Sequence, residues 1–128
     1  MKTGEITMPK ILIVDDDPKI TTLLERFLSA SGYQVTALND SSKTMQTARQ
    51  LRPALFILDI MMPPPDGFTL CRMLREDAEF SKTPILIITA MDRSNSQASI
   101  LGANDYLTKP FDLDELKSRI EALLEDAS

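Results

Sequence analysis

Short blocks of consecutive apolar residues alternate along this chain with longer stretches in which apolar residues recur every three or four positions. Lys10-Ile11-Leu12-Ile13-Val14 opens the series as a β-branched run, which predicts a strand. It ends in Asp15-Asp16-Asp17 and Pro18, a capping oxygen followed by proline at a first helical position. Ile20, Leu23, Leu24, Phe27 and Leu28 then follow at helical spacing, and Gly32 is a stop signal. Tyr33 to Leu38 alternates apolar with polar, as a strand near a sheet edge does. Asp40 and Ser41 cap a second helix predicted over Ser42 to Leu51, with Met45, Ala48 and Leu51 inward, and Pro53 stops it. The central strand, Ala54 to Leu58, carries no polar alternation, which suits a strand covered on both faces.

The second half repeats the scheme. Asp66 caps a third helix carrying Phe68, Leu70, Cys71, Met73 and Leu74. Ile85 to Ile88 is a fourth buried strand, ending in Thr89-Ala90. Met91 to Leu101 is polar and rich in Ser, so a short, weak helix is expected there, with Ala98, Ile100 and Leu101 as its core residues and Gly102 as its end. Asp105 to Thr108 is a fifth strand, leading into Lys109-Pro110-Phe111. Asp112 or Leu113 opens a last amphipathic helix with Leu113, Leu116, Ile120, Leu123 and Leu124 inward. Such alternation predicts an α/β fold: right-handed crossovers and a doubly wound, five-stranded parallel sheet with helices on both faces.

Composition narrows the function classes. The 128 residues suit one domain, expected over residues 10–126 behind a flexible polar tail, residues 1–9. Net charge is −5 with no basic block, which argues against nucleic-acid binding through this domain. The longest apolar runs are too short to span a membrane. A single cysteine, Cys71, allows no internal disulfide and fits a reducing, cytoplasmic setting. No histidine is present to activate it as a nucleophile, so it reads as a packing residue.

Four chemical features share one address, the carboxyl end of a predicted strand: Asp15-Asp16 after the first, Asp59 after the third, Thr89 after the fourth and Lys109 after the fifth. Open α/β sheets bind ligands at that edge, and in the flavodoxin-like order 2-1-3-4-5 the first and third strands meet at the switch point. Asp15, Asp16 and Asp59 then come within reach of one another. Clustered carboxylates repel unless a cation joins them, and a hard divalent ion such as Mg²⁺, with Mn²⁺ able to substitute, is the natural partner for oxygen ligands. Thr89 and Lys109 complete a phosphate-sized pocket. Asp59, alone at the central strand, is the candidate nucleophile toward phosphorus, with Asp15 and Asp16 as ligands.

With these residues in place the chain resembles the receiver domain of bacterial two-component response regulators, the CheY-like family. The resemblance lies in Ile13-Val14-Asp15-Asp16-Asp17-Pro18, Leu58-Asp59-Ile60-Met61-Met62-Pro63 with Asp66-Gly67, Ile88-Thr89-Ala90, and Gly102-Ala103-Asn104-Asp105-Tyr106-Leu107-Thr108-Lys109-Pro110-Phe111. It implies that Asp59 is the phosphoacceptor and that Asp15, Asp16, Asp59 and the backbone carbonyl of Met61 hold Mg²⁺. It implies further that Thr89 and Lys109 bind the phosphoryl group, that Thr89 and Tyr106 form a switch pair, and that Lys109-Pro110 is a cis peptide. The donor would be a phosphohistidine of a histidine kinase or phosphotransfer protein, and the output an unidentified downstream protein or domain. Such a protein is a regulatory phosphoacceptor with weak self-phosphatase activity, not a metabolic enzyme.

Two departures from the family pattern stand out. About two residues are missing between Thr89-Ala90 and Gly102-Ala103, and Pro64-Pro65 replaces the more usual Gly and apolar residue. The first motivates an alternative, a degenerate receiver acting as a constitutive interaction module. Met61 and Met91, two residues past Asp59 and Thr89, cannot orient water, so a long-lived phosphoryl group is expected. An aspartate-nucleophile phosphohydrolase would want an acid where Met61 stands, and a flavin carrier would want phosphate donors where the first turn is acidic.

Overall fold

A computed structural model of the chain describes residues 8–90 and 102–127. Five strands, β1 (Lys10–Val14), β2 (Gln34–Leu38), β3 (Leu55–Leu58), β4 (Ile85–Thr89) and β5 (Asp105–Thr108), form one parallel sheet in the order β2-β1-β3-β4-β5. Among the described residues, four α-helices accompany them: α1 (Pro18–Ala30), α2 (Thr44–Leu51), α3 (Gly67–Glu76) and α4 (Leu113–Ala127). This is the doubly wound parallel sheet expected from the alternation of periods, in the flavodoxin-like order.

The unbroken apolar runs are explained by the layers. Alternate residues of one strand face opposite sides. Leu12, Val14, Phe56, Leu58, Ile85 and Ile87 pack with Ala48 of α2 and with Leu70, Cys71 and Leu74 of α3. Ile11, Ile13, Leu55, Ile57, Leu86 and Ile88 pack on the other side with Leu24 and Leu28 of α1 and Leu116, Ile120 and Leu123 of α4. β2 and β5 lie at the two edges, and β2's residues are only half-buried or exposed, in keeping with its alternating sequence.

The helix starts follow the capping residues. The Asp17 carboxylate accepts from Lys19 N with Pro18 at the first turn, and the Asp66 carboxylate accepts from Thr69 N at 2.8 Å. Gly32 closes α1 at φ 101°, a left-handed conformation that favours glycine. The predicted second helix is divided. Asp40 caps a 3₁₀ turn, Ser41–Lys43, and α2 itself begins only at Thr44. The hydroxyl of buried Thr44 bonds back to the Ser41 carbonyl at 2.7 Å, which tightens that first turn. Pro9, expected to belong to the tail, already accepts from Gln34 N and so joins the sheet. The weak helix expected over Met91 to Leu101 lies outside the described residues.

The amino end of the sheet is tied by one side chain that sequence reasoning passed over. The Arg75 guanidinium of α3 donates to the carbonyls of Gly102, Phe80 and Thr83 and to Asn104 Oδ1, at 2.8 to 3.0 Å. Asn104 Oδ1 also accepts from Ile85 N, so α3, the entry to β4 and the entry to β5 meet at one point.

Candidate functional site

At the opposite, carboxyl end, the sheet register brings the acidic residues together. Val14 pairs with Leu58, so Asp15 and Asp59 are the next residues on neighbouring strands. Their backbones still belong to the sheet: Asp59 N donates to Val14 O at 3.0 Å and Asp15 N to Leu38 O at 3.1 Å. One carboxylate oxygen each from Asp15, Asp16 and Asp59 lie within 4.8 Å of one another, the only such group of potential metal ligands among the described residues. Asp15 and Asp59 are buried, and Asp16 is exposed.

Lys109 reaches into this group from the end of β5. Its Nζ lies 2.9 Å from Asp15 Oδ2 and 3.3 Å from Asp59 Oδ2. Its backbone N donates to Thr89 O at 2.8 Å, and the Lys109-Pro110 peptide is cis. Thr89 is fully buried at the tip of β4, in register with Thr108. Tyr106, half-buried in β5 and paired with Ile87, packs on the side of the sheet that carries α2 and α3. Met61 stands at 62% exposure in the loop after β3. Met91 lies outside the described residues.

The charges are unequal, three carboxylates to one ammonium. Burial pushes the Asp15 carboxyl above its ordinary value, and the charge of Asp59 adds to the rise. Hydrogen bonds from Lys109 and from Asp17 N oppose it without cancelling it. Burial works to lower the Lys109 ammonium, but its hydrogen bond to Asp15 and the charges of Asp15 and Asp59 hold it above its usual value. The donor set is all oxygen and anionic, and it is partly withdrawn from water. These are the properties a small hard cation such as Mg²⁺ requires.

Three residues support the site in ways their sequence positions do not disclose. Asn39 Nδ2 donates to the Asp15 carbonyl and to Thr21 Oγ1, both at 2.9 Å. The hydroxyl of buried Ser41 donates to the Pro63 carbonyl at 3.0 Å. Gly67 sits so close beneath Asp59 that a Cβ there would overlap the Asp59 carbonyl oxygen and the Ile60 Cα. The only sequence signals were a turn-forming Asn-Asp-Ser-Ser and a glycine after a helix cap.

A parallel sheet in the order 2-1-3-4-5, with acidic residues at the switch point and a lysine facing them, defines a class of doubly wound proteins whose ligands sit at the strand tips. Within that class, a family model described as the response regulator receiver domain matches residues 11–121. The chain belongs to this family, the receiver domains of two-component signalling. It is 45% identical to the DNA-binding dual master transcriptional regulator RpaA of Synechocystis sp., over 91% of this chain and 49% of that protein. It is 40% identical to the alkaline phosphatase synthesis transcriptional regulatory protein PhoP of Bacillus subtilis, over 90% of this chain and 48% of that protein. The chain thus spans about half the length of the curated relatives it matches. Among solved structures, a putative response regulator from Chloroflexus aurantiacus superposes with a TM-score of 0.87 at 36% identity, covering 93% of this chain and 99% of that one. The BeF3-activated N-terminal receiver domain of Klebsiella pneumoniae RstA gives 0.83 at 32%, covering 90% and 97%. Among the described residues, no helix is long and apolar enough to cross a membrane.

Proposed function

We propose that this chain is a phosphorylation-controlled switch in which Asp59 accepts a phosphoryl group from a phosphohistidine of a partner histidine kinase or phosphotransfer protein. The observation that carries the reading is the convergence of Asp15, Asp16, Asp59 and the Lys109 ammonium at one pair of strand tips. Asp15, Asp16, Asp59 and the Met61 backbone carbonyl would hold Mg²⁺. When bound, the ion screens the negative charge of nucleophile and phosphoryl group. An Asp59 oxygen forms the new bond to phosphorus as the bond to the imidazole nitrogen breaks. Asp59 Oδ1 accepts from Ile60 N at 2.8 Å, which fixes the carboxylate's rotation before attack. Lys109 sits on the Oδ2 side, and with Thr89 it would meet the incoming phosphoryl oxygens.

The consequence of phosphorylation passes through Thr89 and Tyr106, which the β4–β5 pairing places two residues apart on adjacent strands. Output goes to a downstream protein or domain, in a cytoplasmic setting. The relatives named above are transcriptional regulators, and a DNA-directed output is the form that kinship favours. The test is phosphotransfer from acetyl phosphate with Mg²⁺, comparing the wild type with Asp59→Asn. Loss of labelling is the expected result; labelling that survives the substitution removes Asp59 from this role.

A further inference from the structure

We propose that the turn Asn39 to Ser41, which follows the edge strand, is a positioning element of the cation site. It braces the two loops that carry the oxygen ligands and so sets their spacing. The inference rests on the Mg²⁺ reading above.

The sheet itself controls only part of that spacing. Backbone pairing reaches Asp15 and Asp59 and stops there. Asp16 on one loop and Met61 on the other lie beyond it, on separate crossovers. Each is nevertheless held on both sides. The peptide before Asp16 is fixed by the Asn39 amide on the Asp15 carbonyl. The peptide after it is fixed by Asp17 N on Asp15 Oδ1 at 3.0 Å. With both peptide planes held, the Asp16 backbone has little freedom although its side chain is exposed. On the second loop, the Ile60 carbonyl accepts from Met62 N and Gly67 N, both at 3.0 Å, and the Pro63 carbonyl accepts from Ser41. Met61 lies between these two fixed carbonyls.

Both braces start from one turn, three residues long, and that turn is itself rigid. The Asp40 carboxylate accepts from Ser42 N and the Ser42 hydroxyl. Thr44 Oγ1 closes on the Ser41 carbonyl, and the Asn39 amide is shared with Thr21 of α1. Asn39 and Ser41 are neutral donors bound to backbone carbonyls. They add no charge to the cluster, so their effect on a cation is geometric. Hydrogen-bond partners that orient a metal's ligands commonly change its affinity by about tenfold or more when they are removed.

The experiment is a calorimetric titration of the whole chain with MgCl₂, comparing wild type, Asn39→Ala, Ser41→Ala and Asn39→Asp. A brace predicts that each alanine variant binds Mg²⁺ about tenfold more weakly. Asn39→Asp separates geometry from charge. A purely electrostatic role makes a fourth nearby carboxylate tighten binding, whereas a brace that loses its donor weakens it. Asn39 is exposed, so its variants decide the matter if Ser41→Ala does not fold. Weaker binding by Asn39→Asp, despite its added charge, supports the brace, whereas alanine-variant affinities within twofold of wild type overturn it and leave the Mg²⁺ reading intact. Wild type that takes up no Mg²⁺ overturns that reading, and the brace with it.

Discussion

The two ends of the sheet handle buried charge in opposite ways. At the amino end, one cation, Arg75, is surrounded by four neutral oxygen acceptors, every one at hydrogen-bonding distance. At the carboxyl end, three carboxylates crowd one ammonium. The first arrangement spreads the charge over neutral acceptors and ties three segments together, although burial still pulls the guanidinium below its ordinary value. The second leaves Asp15 with its carboxyl pushed up by burial, so its ionised form opposes folding. One end is arranged for stability and the other for chemistry, as is common where a site must hold like charges together.

The largest effect follows from undoing the amino end. Arg75→Met keeps most of the apolar stem and removes every donor. The carbonyls of Gly102, Phe80 and Thr83 lose a partner, and Asn104 loses one of two. A loss of about 3 kcal/mol is expected, a large share of the roughly 5–15 kcal/mol typical of a domain. Urea unfolding measures it. A loss below about 1 kcal/mol, the scale of one ordinary hydrogen bond, would mean the contrast between the two ends is only apparent.

The carboxyl end answers with the opposite sign. Asp15→Asn removes the charge that burial disfavours, so the metal-free protein is expected to gain stability, on the order of 1 kcal/mol, while losing Mg²⁺ affinity. The pH dependence has a definite direction. A carboxyl whose folded pKa is raised favours the folded state while protonated, and that contribution is lost as pH rises through the raised value. Below the ordinary carboxylate value both folded and unfolded chains are protonated there, and the linkage term vanishes. The advantage of Asp15→Asn is therefore full above the raised value and shrinks as pH falls through it toward the ordinary carboxylate range. Thermal unfolding of both proteins without Mg²⁺ across that range checks it. An advantage that grows toward acid would contradict the burial argument.

The contrast also explains what the sequence disclosed. The apolar runs 11–14, 55–58 and 85–88 are legible because covering both faces of a strand leaves no place for polar residues. Asp15, Asp59 and Lys109 are legible because strand tips are where one residue's type changes abruptly. Arg75, Asn39 and Ser41 are not. Arg75 sits at an ordinary helical position with a charged neighbour, Glu76, and its four acceptors come from two segments, the loop that follows α3 and the entry to β5, the second far away in sequence. Asn39 and Ser41 carry turn chemistry that any turn would carry, and only the folded distances show that their donors face Asp15 and Pro63. The division of the second helix was hidden for a related reason. Asp40 and Ser41 are good cap residues for either helix type, and the choice was made by Thr44 bonding back to Ser41.

The smallest effect tests whether the amino end is arranged for stability throughout. Arg52 ends α2 there at φ 52°, ψ 64°, a left-handed conformation that costs a side-chain-bearing residue about 1 kcal/mol. Its backbone N still donates to Ala48 O at 2.8 Å, so the helix needs this conformation at the position. Glycine adopts it without strain but has more freedom to lose on folding. Arg52→Gly also gives up the ion pair with Glu79 at 3.2 Å, whose arginine side chain is 80% exposed. Exposed pairs of this kind contribute a few tenths of a kcal/mol. The relief of strain exceeds both losses, and a net gain of about 0.5 kcal/mol is expected. Denaturant unfolding with a shared m-value resolves a shift of that size. A loss instead would show that the Arg52–Glu79 pair, joining the end of α2 to the loop before β4, contributes more than its exposure suggests, and that even the surface of this end is arranged for stability.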